Sequence, residues 1–178
     1  MKKKVLPLAK VYQLLEPGPV VMVTTSRKGK PNVMAMSWHM MVDFVPPIVA
    51  FVMGEEDYSF DILKETKECV INIPTVELAE KVVGVGNTTG AKVDKCKKFD
   101  LKQEPASLVG APLLTECYAN FECKVIDMNM APNYNIFILE VVKAWIATSK
   151  KRKRTLHHCG NGVFVVDGKV ITLPSHKM

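Results

Sequence analysis

The chain has no uninterrupted apolar stretch approaching the ~18 residues that a membrane-spanning helix needs. Its five cysteines, Cys69, Cys96, Cys117, Cys123 and Cys159, include no CxxC pair. An odd count without a secretion signal argues for reduced thiols and a cytoplasmic protein. Cys159 stands beside His157 and His158, but three adjacent residues cannot easily converge on one ion, so no metal is expected. No internal repeat and no linker divides the 178 residues, so a single domain over 1–178 is expected. The start, MKKKVLPLAKVYQLL, has the basic front of a signal peptide. Pro7 and Lys10 interrupt its apolar region and no small-residue cleavage site follows, so it reads as mature protein.

Apolar residues make up 48% and charged residues 24% of the chain, ordinary values for a globular protein. The net charge is +6, and its excess is concentrated in five consecutive bases, Lys150, Lys151, Arg152, Lys153 and Arg154. Such a run is most often a solvated loop; an anionic partner is the alternative. No aromatic residue is interleaved with these bases, which weakens a single-strand-binding role, and no nucleic-acid partner is expected.

Leu8, Val11, Leu14 and Leu15 are spaced for a helix that Pro17-Gly18-Pro19 would stop. Val20–Thr25 and Val33–Met41 read as strands joined by the turn Ser26–Lys30. Ile48–Met53 is apolar on both faces, the pattern of a central strand. Short helices are expected at Ser59–Thr66 and Thr75–Val83, the second capped by Thr75, with the strand Cys69–Ile73 between them. Gly84–Gly90 reads as a flexible polar loop. Strands follow at Ala119–Ile126 and Asn135–Ile146, and a last hairpin at Val163–Val166 and Val170–Leu173 around Asp167-Gly168. Many strands at short spacing, with no helices in the second half, favour an antiparallel barrel over a doubly wound α/β sheet.

Three segments have the residue types of a binding site. Asn32, Ser37 and Trp38 place small polar groups and an aromatic on an otherwise apolar strand, which suits a ligand that is both stacked and hydrogen-bonded; Trp38 as a plain core residue is the alternative. Ser59 opens a helix, where free N–H groups and the helix dipole favour an anion, though it could serve only as a cap. Thr88-Thr89-Gly90-Ala91-Lys92-Val93-Asp94-Lys95 combines hydroxyls, a glycine and two lysines, the groups a phosphate needs.

The order Asn32-x-Met34-x-x-Ser37-Trp38, a short spacer, Pro46-Pro47 and an apolar strand resembles the core motif of the flavin reductase and flavoredoxin family of FMN-binding split barrels. The segments Asp57–Thr66, Ile71-Asn72-Ile73-Pro74 and Thr88–Lys95 follow in the family's order, so the resemblance spans about residues 15–166. It implies a mainly β, Greek-key-like antiparallel split barrel with short helices, and FMN as cofactor. Asn32, Met34, Ser37 and Trp38 would face the flavin ring, Ser59 its phosphate, and Thr88, Gly90, Lys92 and Lys95 would lie nearby. The implied activity is electron transfer from NADH, NADPH or a protein donor through FMN to a small-molecule or protein acceptor, in a homodimer with flavin at the interface. The alternative is a flavoredoxin-like electron carrier that docks an acidic redox partner through the basic run.

Two departures stand out. Glu55, Glu56 and Asp57 replace the base that commonly precedes the Ser59 hydroxyl, so Lys92 and Lys95 would have to supply the neutralising charge. Pro132-Asn133-Tyr134 replaces the Gly-Asp-His of many flavin reductases. Tyr134, and His157 or its neighbour His158, are the residues left to stand beside the ring.

Overall fold

The computed structural model describes residues 2–11, 18–149 and 153–173. The helix expected from Pro7 to Leu15 is seen there as a 3-10 turn, Leu8–Lys10, and its second half lies outside the described residues. So do Lys150, Lys151 and Arg152 of the basic run.

Twelve strands are described. β1 (Lys3–Val5), β2 (Val21–Arg27), β3 (Lys30–Met36), β4 (His39–Phe44), β5 (Pro47–Val52) and β6 (Glu68–Ile73) occupy the first half. β7 (Gln103–Glu104), β8 (Leu113–Leu114), β9 (Ala119–Asp127), β10 (Ile136–Ala147), β11 (Leu156–His158) and β12 (Phe164–Val166) follow. The main sheet runs β3-β2-β6-β9-β10-β5-β4, with β1 also on β10, and every pairing is antiparallel. The 12-residue β10 closes the structure. Its first half pairs with β5, its last residues pair with β1, and two register shifts against β9 bend it. This is the expected split barrel.

Strand composition follows from what covers each face. On β2, Val21 and Val23 enter the barrel core with Phe51, Phe121, Phe137 and Leu139. Met22 faces the other way, into a second core formed with Leu78, Val82, Val85 and Cys96. Both faces are buried, so the strand is apolar throughout rather than alternating. Of the helices, α1 (Tyr58–Thr66) packs Phe60 and Leu63 on the barrel core, α2 (Ala79–Gly86) and α3 (Lys95–Lys98) cover the second core, and α4 (Ala131–Tyr134) packs Ala131 on the first. Inside the barrel, Phe60 of α1 meets Phe137 edge-on, with centroids 5.3 Å apart.

The β2–β3 turn is shorter than expected: Lys28 and Gly29, both at positive φ, make the two-residue turn whose twist suits a hairpin. The strand expected over Val33–Met41 is two strands. Val21 pairs with Met36, His39 pairs with Phe51, and Ser37-Trp38 carry the chain from one partner to the other. A continuous β-like pattern does not reveal such a change of partner. The Thr75 helix starts as a 3-10 turn (Val76–Leu78), and Thr75 makes no side-chain cap bond. The helix proper then runs on through Gly84 and Gly86, into the segment expected to be loop. A Cβ at Gly84 would stand 2.4 Å from the Phe99 ring, so that glycine serves close packing rather than flexibility. The final hairpin pairs β12 with β11 instead of with Val170–Leu173. Asp167 is not its turn: its carboxylate accepts from the Thr155 N–H at 2.5 Å, and its own N–H donates to the Thr155 carbonyl.

Candidate functional site

Three cavities meet along the outer face of β3. The first, of 260 Å³, is polar: Asn32, Ser59, Thr88, Thr89, Gly90 and Lys95 line it, with Glu56 and Asp57. A second, of 390 Å³, is lined by Met34, Ser37, Trp38, Asn135 and His158 and shares Glu56 and Asp57 with the first. The third, of 330 Å³, lies between β3 and α2, where Val20, Met36, Val82 and Phe164 make it mainly apolar. Ala35 of β3 lines all three, and its neighbours Met34 and Met36 line two each. Together the cavities form a groove with a polar end, an acidic middle and a more apolar, open end.

The polar end is assembled by α1. Asp57 holds the N-cap position, so Ser59 falls in the first turn, where backbone N–H groups lack intrahelical partners. Ser59 is 1% exposed, and its Oγ accepts a hydrogen bond from Asn32 Nδ2 at 2.7 Å. No acceptor for its own hydroxyl hydrogen exists among the described residues, so that hydrogen is left for a ligand. Gly90 closes over this pair. A Cβ there would lie 2.0 Å from Asn32 Oδ1 and 2.9 Å from the Tyr58 ring. Any other residue would displace Asn32 and with it the Ser59 hydroxyl.

Lys95 is the one cation among the residues lining this end, and it is 7% exposed. Its ammonium donates to the Val85 carbonyl at 3.1 Å, leaving further N–H groups for the cleft. Burial pulls its pKa below the ordinary value of 10.5, against the pull of Asp57. Burial also pushes the Asp57 carboxyl up, with Glu56 adding to the rise and the Gly54 backbone and Lys95 opposing it. Asp94 caps α3 by accepting from the Lys97 N–H at 3.0 Å, which fixes the turn that delivers Lys95.

The structure thus brings Asn32, Met34, Ser59, Thr88, Gly90 and Lys95 to one end and Ser37 and Trp38 to the other. Trp38 is 72% exposed among the described residues, so it is not the core residue that the alternative reading expected. Lys92 is exposed and lines none of the three cavities. Tyr134, 65% exposed on α4, also stays outside the groove, although its neighbour Asn135 enters it. Of the two histidines, His157 contacts the Thr155 hydroxyl at 3.1 Å. His158 is the one that lines the groove, its ring 5.1 Å from that of Phe164. Residue type does not single out Asn87, Thr89 or Asn135; the GVGNTTG loop was the available signal for the first two.

The donor set fits a phosphorylated, planar ligand such as FMN: a buried hydroxyl, one ammonium and a helix N-terminus around a cradle that a Cβ would fill, joined to a larger, less polar cavity. A split barrel with such a groove defines a class of cofactor-binding fold. Residues 14–166 match the flavin reductase like domain, and the chain belongs to that family. YddH of Escherichia coli K12, an uncharacterized protein, is 31% identical over 175 residues, which cover 90% of this chain and 92% of YddH. An uncharacterized protein of Archaeoglobus fulgidus is 33% identical over 113 residues, so the match spans only 64% of that relative's length. A solved structure described as an FMN-binding domain of a flavin reductases-like enzyme, from Shewanella baltica, is 27% identical, with a TM-score of 0.91 over 97% of this chain and 98% of its own. No helix among the described residues is long and apolar enough to cross a membrane.

Proposed function

We propose that the groove binds FMN and that the protein is a flavin reductase-type oxidoreductase, taking electrons from NADH or NADPH and passing them to an acceptor. The observation that carries this reading is the polarity of the groove, which runs from the anion-suited Ser59–Gly90–Lys95 end to the Ser37–Trp38–His158 end. Bound FMN supplies the redox chemistry; the chain's residues bind and orient it. Ser59, Thr88, Lys95 and the first-turn N–H groups of α1 would hold the phosphate. Ser37 would offer a hydroxyl at the ring's edge, and Met34–Met36 would form the surface beneath it. Glu56 and Asp57 oppose a phosphate electrostatically, and Lys95 is the one cation among the described residues lining this end to offset them.

A second copy of the chain completes the open end in this reading. β4 is an edge strand, and Met40, Val42 and Phe44 alternate along it, all exposed, beside Trp38 and Val45. An apolar row on a sheet edge invites pairing, and a homodimer across it would cover Trp38. All five cysteines are free, which suits a reducing compartment such as the cytoplasm.

The alternative, a flavoredoxin-type carrier reduced by a protein partner, draws support from Tyr134. It stands where many flavin reductases have histidine, yet it lies outside the groove and offers no group to a nicotinamide. Adding NADH or NADPH without oxygen to the FMN-loaded protein separates the two. Bleaching of the flavin absorbance is expected for the reductase, whereas retained bands with either nicotinamide would leave the carrier.

A further inference from the structure

The carboxylates in the middle of the groove are out of place for an anion site, and their position suggests what they do instead. Glu56 and Asp57 line both the polar cavity and the cavity that holds Ser37 and Trp38, so they occupy the passage between the two. Asp57 sits at the N-cap of α1 but makes no side-chain cap bond, the role that favours aspartate at such a position. Its carboxyl is instead half-buried in the groove beside Glu56 and Lys95. Gly54 leaves room for the Glu56 side chain to fold back: a Cβ there would stand 2.5 Å from Glu56 Oε2. Two carboxylates therefore line this passage, and among the described residues that line it Lys95 is the one lysine or arginine.

We infer that Glu56 and Asp57 accept hydrogen bonds from the hydroxyl groups of the flavin's sugar-alcohol chain. The inference rests on the flavin reading above and adds the group that the middle of the groove recognises. A polyol running from ring to phosphate must cross this passage. Its hydroxyls donate, and an ionised carboxylate accepts through two oxygens, which makes such bonds stronger than neutral ones. The polyol then contributes binding independently of the phosphate, and riboflavin is a ligand in its own right. The acidic residues that weaken the hold on the phosphate give selectivity for the chain attached to it.

The test is equilibrium titration of the protein with FMN, riboflavin and lumiflavin (the same ring system without the polyol), read by quenching of flavin fluorescence. Riboflavin should bind well above lumiflavin. Glu56→Ala with Asp57→Ala should weaken riboflavin by about tenfold or more, the scale of charged hydrogen bonds, while leaving lumiflavin unchanged. Glu56→Ala alone, which leaves the helix cap untouched, should give part of that loss; circular dichroism checks that both variants fold. If the double variant binds riboflavin unchanged or more tightly, the carboxylates only repel the phosphate and the inference is wrong. FMN binding to the parent protein without riboflavin binding would also overturn it while leaving the FMN site standing. If the parent protein binds none of the three, the flavin reading itself falls, and this inference with it.

Discussion

At the polar end of the groove, buried groups of one chain hold one another. Asn32 bonds Ser59, Gly90 presses on Asn32, and Lys95 is anchored on the Val85 carbonyl. At the other end the side chains stand open: Trp38 is largely exposed and His158 sits on a short outlying hairpin. The first is preorganised by the fold, so it should bind its share of a ligand without rearrangement. The second is open, and the proposed second copy would cover it from the exposed apolar edge of β4 beside it.

The largest effect should come from filling the cradle. Gly90→Val forces Asn32 away and should weaken FMN by more than about 100-fold, since it disrupts several donors at once. Thermal melting should fall somewhat, because the displaced Asn32 and Ser59 are buried, and circular dichroism checks that the variant still folds. Next, Ser59→Ala combined with Lys95→Met should weaken FMN by roughly tenfold to 100-fold, as loss of charge-assisted bonds does, and riboflavin much less. Lys92→Ala should do almost nothing, since Lys92 lies off the groove. Isothermal titration with both flavins would measure all three. A large effect of Lys92→Ala would break the division of the groove drawn above.

At the open end, Val42→Asp with Phe44→Asp should convert a dimer to monomer in sedimentation velocity. FMN should then weaken by several-fold only, because the polar end remains whole. A further effect concerns pH. Burial lowers the pKa of Lys95, so its ammonium is lost before an ordinary lysine's as pH rises. A phosphate binds the charged form, so FMN affinity should fall on the alkaline side, starting below the usual lysine range. Riboflavin affinity should not follow, and Lys95→Met should abolish the difference.

Much of this groove was legible from local order. Asn32, Ser59 and the Thr88–Lys95 segment lie far apart along the chain; the last two have residue types that suit an anion, whereas Asn32, expected at the ring, lies instead against Ser59 at the polar end. The barrel was legible too, because strands buried on both faces leave continuous apolar runs such as Val20–Val23 and Ile48–Met53. The break at Ser37-Trp38 was not. It depends on β3 ending against β2 while β4 begins against β5, and pairing partners leave no mark on a continuous β pattern. Lys92 and Lys95 look alike in sequence; the Asp94 cap on α3 turns one inward and leaves the other in solvent. His158 against His157 is a matter of strand parity on β11, fixed only once its pairing with β12 is known.

The most direct test of the central claim is a titration of the purified protein with FMN, with Gly90→Val titrated alongside it, followed by flavin absorbance and fluorescence. A groove preorganised around Ser59, Gly90 and Lys95 predicts saturable binding to the parent protein and its loss in the folded variant. Equal binding by both, or none by the parent protein, would contradict it.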